Sequence, residues 1–404
     1  MPMLSPPCLL LTFAALLTGC GVPLQVVDVR SASATYYSSA APDGDAALGE
    51  RAAELDGLLL QACDERLHHA VTADPRLAQV ADWIAERNAA GDAPQMPRRI
   101  AVTTRAGVPF PTPAIIELRF SLGIDAARLG DALAKQVTEL GNTALLSRYG
   151  LAVRTTPSEQ FAVAVLTAAD VDFDPVPRHV RAGETLDLHG RLADRLSHPR
   201  VAVTRPDGRS ENLEGQDNRF DFAVKLAKPG AYAVEMIGDG ALGPSVVANF
   251  PVYVDMPEPP LPQEQAVEQV TSPAAVEAEL LALINAERAR AGVRPVTLWP
   301  ALSNVARAHS QDMVEHKFIA HISPTLGDTE ARLKRAGIAW QQFGENIGMA
   351  STTVEVHQGL MASPGHREAI VNPAYTHVGI GAALQLQDKS YVPVVTEDFV
   401  AVPP

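Results

Sequence analysis

His321-Ile322-Ser323-Pro324, Gly344-Glu345-Asn346-Ile347 and Ser363-Pro364-Gly365-His366-Arg367 follow one another in the last third of the chain. They set two histidines and one carboxylate on short polar motifs that interrupt apolar, periodic segments. Imidazole and carboxylate are the raw material of a metal site or an acid–base pair, and three separate motifs serve one site only if the fold brings them together. Outward from these motifs, apolar positions three and four apart mark helices at Leu280–Arg288 and Ala301–Val314. Tyr375–Gly381 and a last run ending Thr396-Glu397-Asp398-Phe399 read as strands.

This ordered set, over about residues 274–404, resembles the CAP superfamily (cysteine-rich secretory, antigen 5 and pathogenesis-related proteins) in its bacterial SCP-like form. The resemblance implies an α+β fold, an α-β-α sandwich with a cleft in which His321 and His366 hold a divalent cation, zinc among the candidates, beside Glu345. Asn346 and Arg367 then fall at the edges of the cleft. For the family's second acidic residue the sequence offers only Asp328 and Glu330, and Leu360 stands where a tryptophan commonly precedes the Ser-Pro-Gly-His motif. The resemblance implies a lipid or cell-envelope ligand. Two imidazoles and a carboxylate are also similar to the ligand sets of open zinc sites. A metal-assisted hydrolase with Glu345 as general base is therefore the alternative reading. No Gly-x-Ser-x-Gly or His-Glu-x-x-His accompanies the motifs, which favours a binding module. His309 and His316, seven residues apart on one helical face, read as solvated, and His357 and His377 as cleft edges at most.

Leu9–Leu17 is too short to span a bilayer but suits a signal-peptide core, although no Lys or Arg precedes it. Leu17-Thr18-Gly19-Cys20 resembles a bacterial lipobox, so residues 1–19 are expected to be a lipoprotein signal peptide. Cys20 is the expected lipidated residue and 20–47 a tether. Gly21 after the cysteine favours the outer membrane in a Gram-negative cell. Of the three cysteines, Cys8 leaves with the signal and Cys20 takes lipid. Cys63 then remains as a small buried thiol, and no intramolecular disulfide is expected. A net charge of −14 excludes a nucleic-acid partner of the usual basic kind and leaves membrane association to the acyl anchor.

At 404 residues the chain calls for several domains. Shifted by 225 positions, Leu55, Leu58, Leu59, Pro75, Leu77, Val80 and Ala81 fall on Leu280, Leu283, Ile284, Pro300, Leu302, Val305 and Ala306. Residues 48–175 are therefore read as a divergent CAP-like domain. With that shift His321 falls on Met96, and with a shift of 224 Glu345 and His366 fall on Ser121 and Asn142, so this copy lacks the polar set. Short alternating runs with turns at Pro206-Asp207-Gly208 and Pro229-Gly230 predict an immunoglobulin-like β-sandwich over 176–256. A Pro-rich linker follows at 257–273, then the CAP domain at 274–404.

Overall fold

The computed structural model describes residues 34–42, 50–67, 70–111, 113–140, 146–263, 272–387 and 390–402. The expected signal peptide with Cys20, and Asn142, lie outside the described residues.

After a short strand β1 (Tyr36–Tyr37), the first α/β unit comprises α1 (Glu50–Leu67), β2 (Thr72–Ala73), α2 (Pro75–Ala89), α3 (Met96–Arg105), β3 (Ala114–Ser121), α4 (Ala126–Glu139), β4 (Arg148–Thr155) and β5 (Glu159–Thr167). The strand order is β2-β4-β5-β3. Leu55 and Leu59 of α1 pack with Leu129 and Leu133 of α4 and with Leu151 and Leu166 of the sheet, and Leu77, Val80 and Ile84 of α2 pack with Val163 and Val165. The Asp74 carboxylate accepts the Arg76 N–H at 3.0 Å to cap α2. Pro75 fits that first turn because the N–H it lacks has no intrahelical partner there. Cys63 is buried in the α1 face of the core.

A double-layered β region follows: β6 (Val171–Phe173), β7 (Val176–Pro177), β8 (His179–Val180), β9 (Thr185–Leu192), β10 (Ser197–Thr204), β11 (Ser210–Glu214), β12 (Arg219–Lys225), β13 (Gly230–Gly240) and β14 (Gly243–Val254). One sheet runs β11-β10-β13-β14-β8 and the other β12-β9-β6. Alternation places Leu186, Leu188, Val201, Val203, Val234 and Phe250 between them. The turn at Pro206-Asp207-Gly208 needs Gly208 at φ 81°, a conformation that L side chains rarely adopt. The junction between the first two units differs from the sequence reading in two ways. Pairing of β6 with β9 starts the sandwich at Val171 rather than at 176. The cores also merge, because Trp83, Ile84 and Phe110 belong to the same apolar cluster as Phe250 and Leu188.

Nor is the Pro-rich segment a free spacer at its start. The Glu258 carboxylate takes the Arg178 guanidinium at 2.7 Å and that of Arg105 at 3.1 Å.

The C-terminal unit comprises α5 (Pro273–Arg290), β15 (Thr297–Leu298), α6 (Pro300–His316), α7 (Thr329–Arg335), β16 (Gln342–Met349), α8 (Thr353–Ala362), α9 (Pro364–Val371), β17 (His377–Gln387) and β18 (Ser390–Ala401). Its strand order, β15-β17-β18-β16, repeats the pattern of the first unit. One face carries α5, α8 and α9 over Ile380, Val395 and Phe399; α6 and α7 lie on the other over Val394 and Val400.

The likeness reaches individual bonds. Thr72 N donates to Ser147 O at 2.9 Å and Asp74 N to Tyr149 O at 2.7 Å, while Thr297 N donates to Thr376 O at 3.0 Å and Trp299 N to Val378 O at 2.8 Å. A Cβ on Gly150 would lie 2.2 Å from Leu77 C, and one on Gly379 2.3 Å from Leu302 C. Counting across the sheets from these glycines, Gly379 pairs with Asp398 and Asp398 with Glu345, whereas Gly150 pairs with Val165 and Val165 with Ile115. The counterpart of Glu345 is therefore Ile115, not Ser121. Loops of unequal length shift the strands by different amounts, which one sequence offset cannot express.

Candidate functional site

His321 lies just beyond α6, where Lys317 in the left-handed conformation (φ 54°) ends the helix and turns the chain back. Its Nδ1 meets Glu345 Oε1 at 2.9 Å. The other carboxylate oxygen takes the Arg332 guanidinium. Arg332 also donates to the carbonyls of His321 and Gly327, at 3.1 and 2.6 Å. Burial alone would raise the Glu345 carboxyl, but the His321 hydrogen bond and the Arg332 charge outweigh it and hold the group near about 2. Across the strand pair, Asp398 is pushed well above the carboxylate range, first by burial and then by the charge of Glu345. Two carboxyl groups pushed in opposite directions thus share the sheet beneath His321.

His366 stands in the first turn of α9, with Nδ1 2.8 Å from Ser363 Oγ. Burial, with the charge of His321 second, depresses it to about 4, so its imidazole is neutral at physiological pH. The two rings lie 6.5 Å apart between centres, inclined by 25°. Each has its Nδ1 engaged, which leaves Nε2 as the atom that can meet a ligand. Zn–N distances of about 2.0–2.1 Å bring two bridged ring centres to roughly 5–6 Å. A shared ion would therefore draw these rings together. Among the described residues no group of three or more His, Cys, Asp or Glu side chains is placed to hold a metal. The protein offers two imidazoles, with Glu345 orienting His321 from behind.

The remaining sequence candidates are elsewhere. Asn346, next to Glu345 along the strand, faces the opposite way. It is buried and donates to His366 O and Glu397 Oε2, both at 3.1 Å. Burial lifts the Glu397 carboxyl to about 7. Arg367 points out of the cleft and donates to Gly208 O in the sandwich turn at 3.0 Å. Asp328 is the N-cap of α7 and accepts the Ala331 N–H at 2.8 Å; Glu330 pairs with Lys334 at 2.8 Å on the surface. Neither supplies a second acid to the histidines. His309 is fully buried rather than solvated, with Nε2 3.1 Å from Ala320 O. His316 does face solvent, beside Asp312. His357 is buried, and His377 Nδ1 lies 2.9 Å from Thr376 Oγ1.

A further acid comes from another unit. Glu235 on β13 is fully buried, and its Oε1 accepts the Gly365 N–H at 3.0 Å, at the positive N-terminal end of α9. Burial raises its carboxyl, and Ser363 and the Gly365 N–H pull it back. Its Oε2 has no hydrogen-bond partner, an omission that costs about 1–3 kcal/mol for a buried polar group. The sandwich meets the same face again where Ile322 N donates to Leu242 O at 3.0 Å.

The family model for CAP, described as the cysteine-rich secretory protein family, matches residues 281–397. The Bacillus subtilis protein YkwD is 41% identical over 112 residues, covering 28% of this chain and 44% of YkwD. The B. subtilis membrane protein YlbC is 32% identical over 120 residues, covering 29% of this chain and 34% of YlbC. The chain thus spans less than half the length of these curated relatives. A crystal structure of an extracellular protein containing a SCP domain from Bacillus anthracis shares 19% identity at a TM-score of 0.29, covering 57% of this chain and 85% of that one. Residues 281–397, which carry the motifs around His321, Glu345 and His366, thus form a CAP domain of the kind the family model describes.

Proposed function

We propose that the chain is an extracytoplasmic binding protein, anchored by lipid at Cys20, whose CAP cleft takes a divalent cation through His321 and His366 and a lipid or cell-envelope ligand. The observation that carries this reading is the pair of facing imidazoles, each with Nδ1 engaged behind it and Nε2 free to ligate. The hydrolase reading draws less support. A general base works best with a pKa near the operating pH, whereas Glu345 is held near about 2 with both oxygens committed.

We further propose that the first α/β unit is a divergent CAP-like copy and the β region an immunoglobulin-like spacer. In the first unit Ile115 and Val165 stand where the CAP domain has Glu345 and Asp398. A sheet of this pattern folds with an apolar pair at that place, which favours chemistry over scaffolding as the role of the acidic pair.

Zinc titration of the full chain by calorimetry tests the cleft. His321→Ala and His366→Ala are each expected to weaken binding at least tenfold, with circular dichroism unchanged. Unchanged affinity in both variants, or none in the parent, would sink the cation reading. Cys20→Ser tests the anchor: the variant is expected to leave the membrane fraction and lose lipid labelling, and retention of label would refute the lipobox assignment.

A further inference from the structure

One hairpin of the sandwich is bonded to the neighbours of both site histidines. Strands β13 and β14 pair as far as Gly240 and Gly243, which leaves Ala241 and Leu242 as the turn. Glu235 on β13 accepts the Gly365 N–H at 3.0 Å, one residue before His366. At the turn, Leu242 O accepts the Ile322 N–H at 3.0 Å, one residue after His321. The Leu242 side chain packs against the cluster of Met313, Phe318, Ala320 and Val394, which lies beneath the segment leading to His321. Gly243, at φ 98°, passes so near that a Cβ there would lie 3.3 Å from His321 Cβ.

The two imidazoles need such support because they arrive from opposite faces of the CAP sheet, His321 beyond the end of α6 and His366 in α9. Within the CAP domain β16 joins them: Glu345 engages His321, and Asn346 donates to His366 O at 3.1 Å. A segment tied at one point can still pivot about it, whereas a second tie fixes its direction. Gly365 lies in the first turn of α9, where an N–H has no intrahelical acceptor. Glu235 supplies that acceptor from outside the domain. Metal–ligand distances tolerate only about 0.2 Å, so a small pivot of either segment takes its imidazole out of reach of a shared ion.

We propose that the β13–β14 hairpin is a clamp that sets the distance and angle between the His321 and His366 imidazoles, with Glu235 the positioning residue for His366 and Leu242 that for His321. This rests on the reading of the pair as a cation site and adds that a unit outside the CAP domain completes it. The sandwich then does more than hold the two α/β units apart.

Zinc titration of the full chain by calorimetry, with substitutions in the hairpin, tests the clamp. Glu235→Leu, which removes the acceptor, and Leu242→Ala, which loosens the other end, should each weaken zinc binding by about tenfold or more, the usual cost of losing a group that orients a ligand. Glu235→Gln keeps a carbonyl oxygen for the Gly365 N–H and should bind as the parent does. If Glu235→Leu fails to fold, Leu242→Ala decides. In the His321→Ala background one imidazole remains and there is no spacing to set, so Glu235→Leu should there leave the residual affinity unchanged. Hydrogen exchange of the cation-free chain checks the ties without metal. The Gly365 amide should exchange roughly tenfold faster in Glu235→Leu, and that of Ile322 in Leu242→Ala, each variant leaving the other amide protected. The proposal is overturned if both Glu235→Leu and Leu242→Ala bind zinc as the parent does, if Glu235→Gln is as weak as Glu235→Leu, or if the loss persists in full without His321. A parent that binds no zinc refutes the cation reading instead, and the clamp then stands or falls with the protection of Gly365 and Ile322.

Discussion

Arg332→Met is expected to destabilise the CAP domain by about 3–5 kcal/mol, the usual penalty for removing one partner of a buried ion pair. Both side chains of the Arg332–Glu345 pair are almost wholly buried, at 2% and 3% exposure. The methionine fills most of the volume but leaves the Glu345 charge with His321 as its sole engaged partner. It also strips two backbone carbonyls, those of His321 and Gly327, of their donor. The penalty should depend on pH with a definite sign. Glu345 is depressed in the parent, so its contribution is present above the ordinary value of 4.5 and is lost as pH falls toward about 2. Without Arg332 the folded-state value rises. The gap between parent and variant should be widest near neutrality and narrow below about pH 4.5. Urea unfolding at pH 7.5 and pH 4 measures it, and a gap that is small at pH 7.5 or grows in acid would contradict this account of the pair.

Much of the site was legible because its polar motifs break an apolar rhythm. Residues that depart from a period of 3.6 or 2 stand out, and His321, Glu345 and His366 do so. Their roles were not legible. Whether Glu345 is a base or an orienting partner depends on Arg332, which sits among Lys334 and Arg335 on a short helix and reads as one more surface charge. Arg367 belongs to the motif yet serves the domain boundary, since its position in the first turn of α9 directs it to the Gly208 turn. Glu235 was invisible for another reason. Along β13, Tyr232, Val234 and Met236 point into the sandwich, so Glu235 reads as solvent-facing by alternation. Only the docking of α9 against that outer face buries it. Sequence periodicity reports which face of an element turns from its own core, not what covers that face.

Gly381→Ala should abolish cooperative folding of the CAP domain, a loss beyond the about 4–5 kcal/mol that marks exceptional single substitutions. A Cβ on Gly381 would lie 2.0 Å from Arg307 N and 2.2 Å from Ala306 C, both helix backbone that cannot rotate aside. The approach is also bonded, because Ser310 Oγ on α6 donates to Gly381 O at 3.0 Å and lies 2.9 Å from the Thr396 hydroxyl. Relief would require α6 to lift from β17 and β18, and His321 follows directly from the end of α6. Cation binding should therefore disappear together with the fold. Gly359→Ala provides the contrast, since nothing lies within 4 Å of the added Cβ and the site is within α8. That change should be neutral or stabilising by up to about 1 kcal/mol. Of the three tryptophans, Trp299 and Trp340 report on the CAP domain and Trp83 on the first unit. Variants retaining one of these residues at a time resolve the two transitions by fluorescence. In Gly381→Ala the signals of Trp299 and Trp340 should lose their cooperative transition while that of Trp83 persists, as expected if the first unit and the sandwich fold on their merged core. A parent-like transition at Trp299 and Trp340 would show that α6 and β17 tolerate a wider spacing, and the close crossing would lose its place as the element that fixes the site.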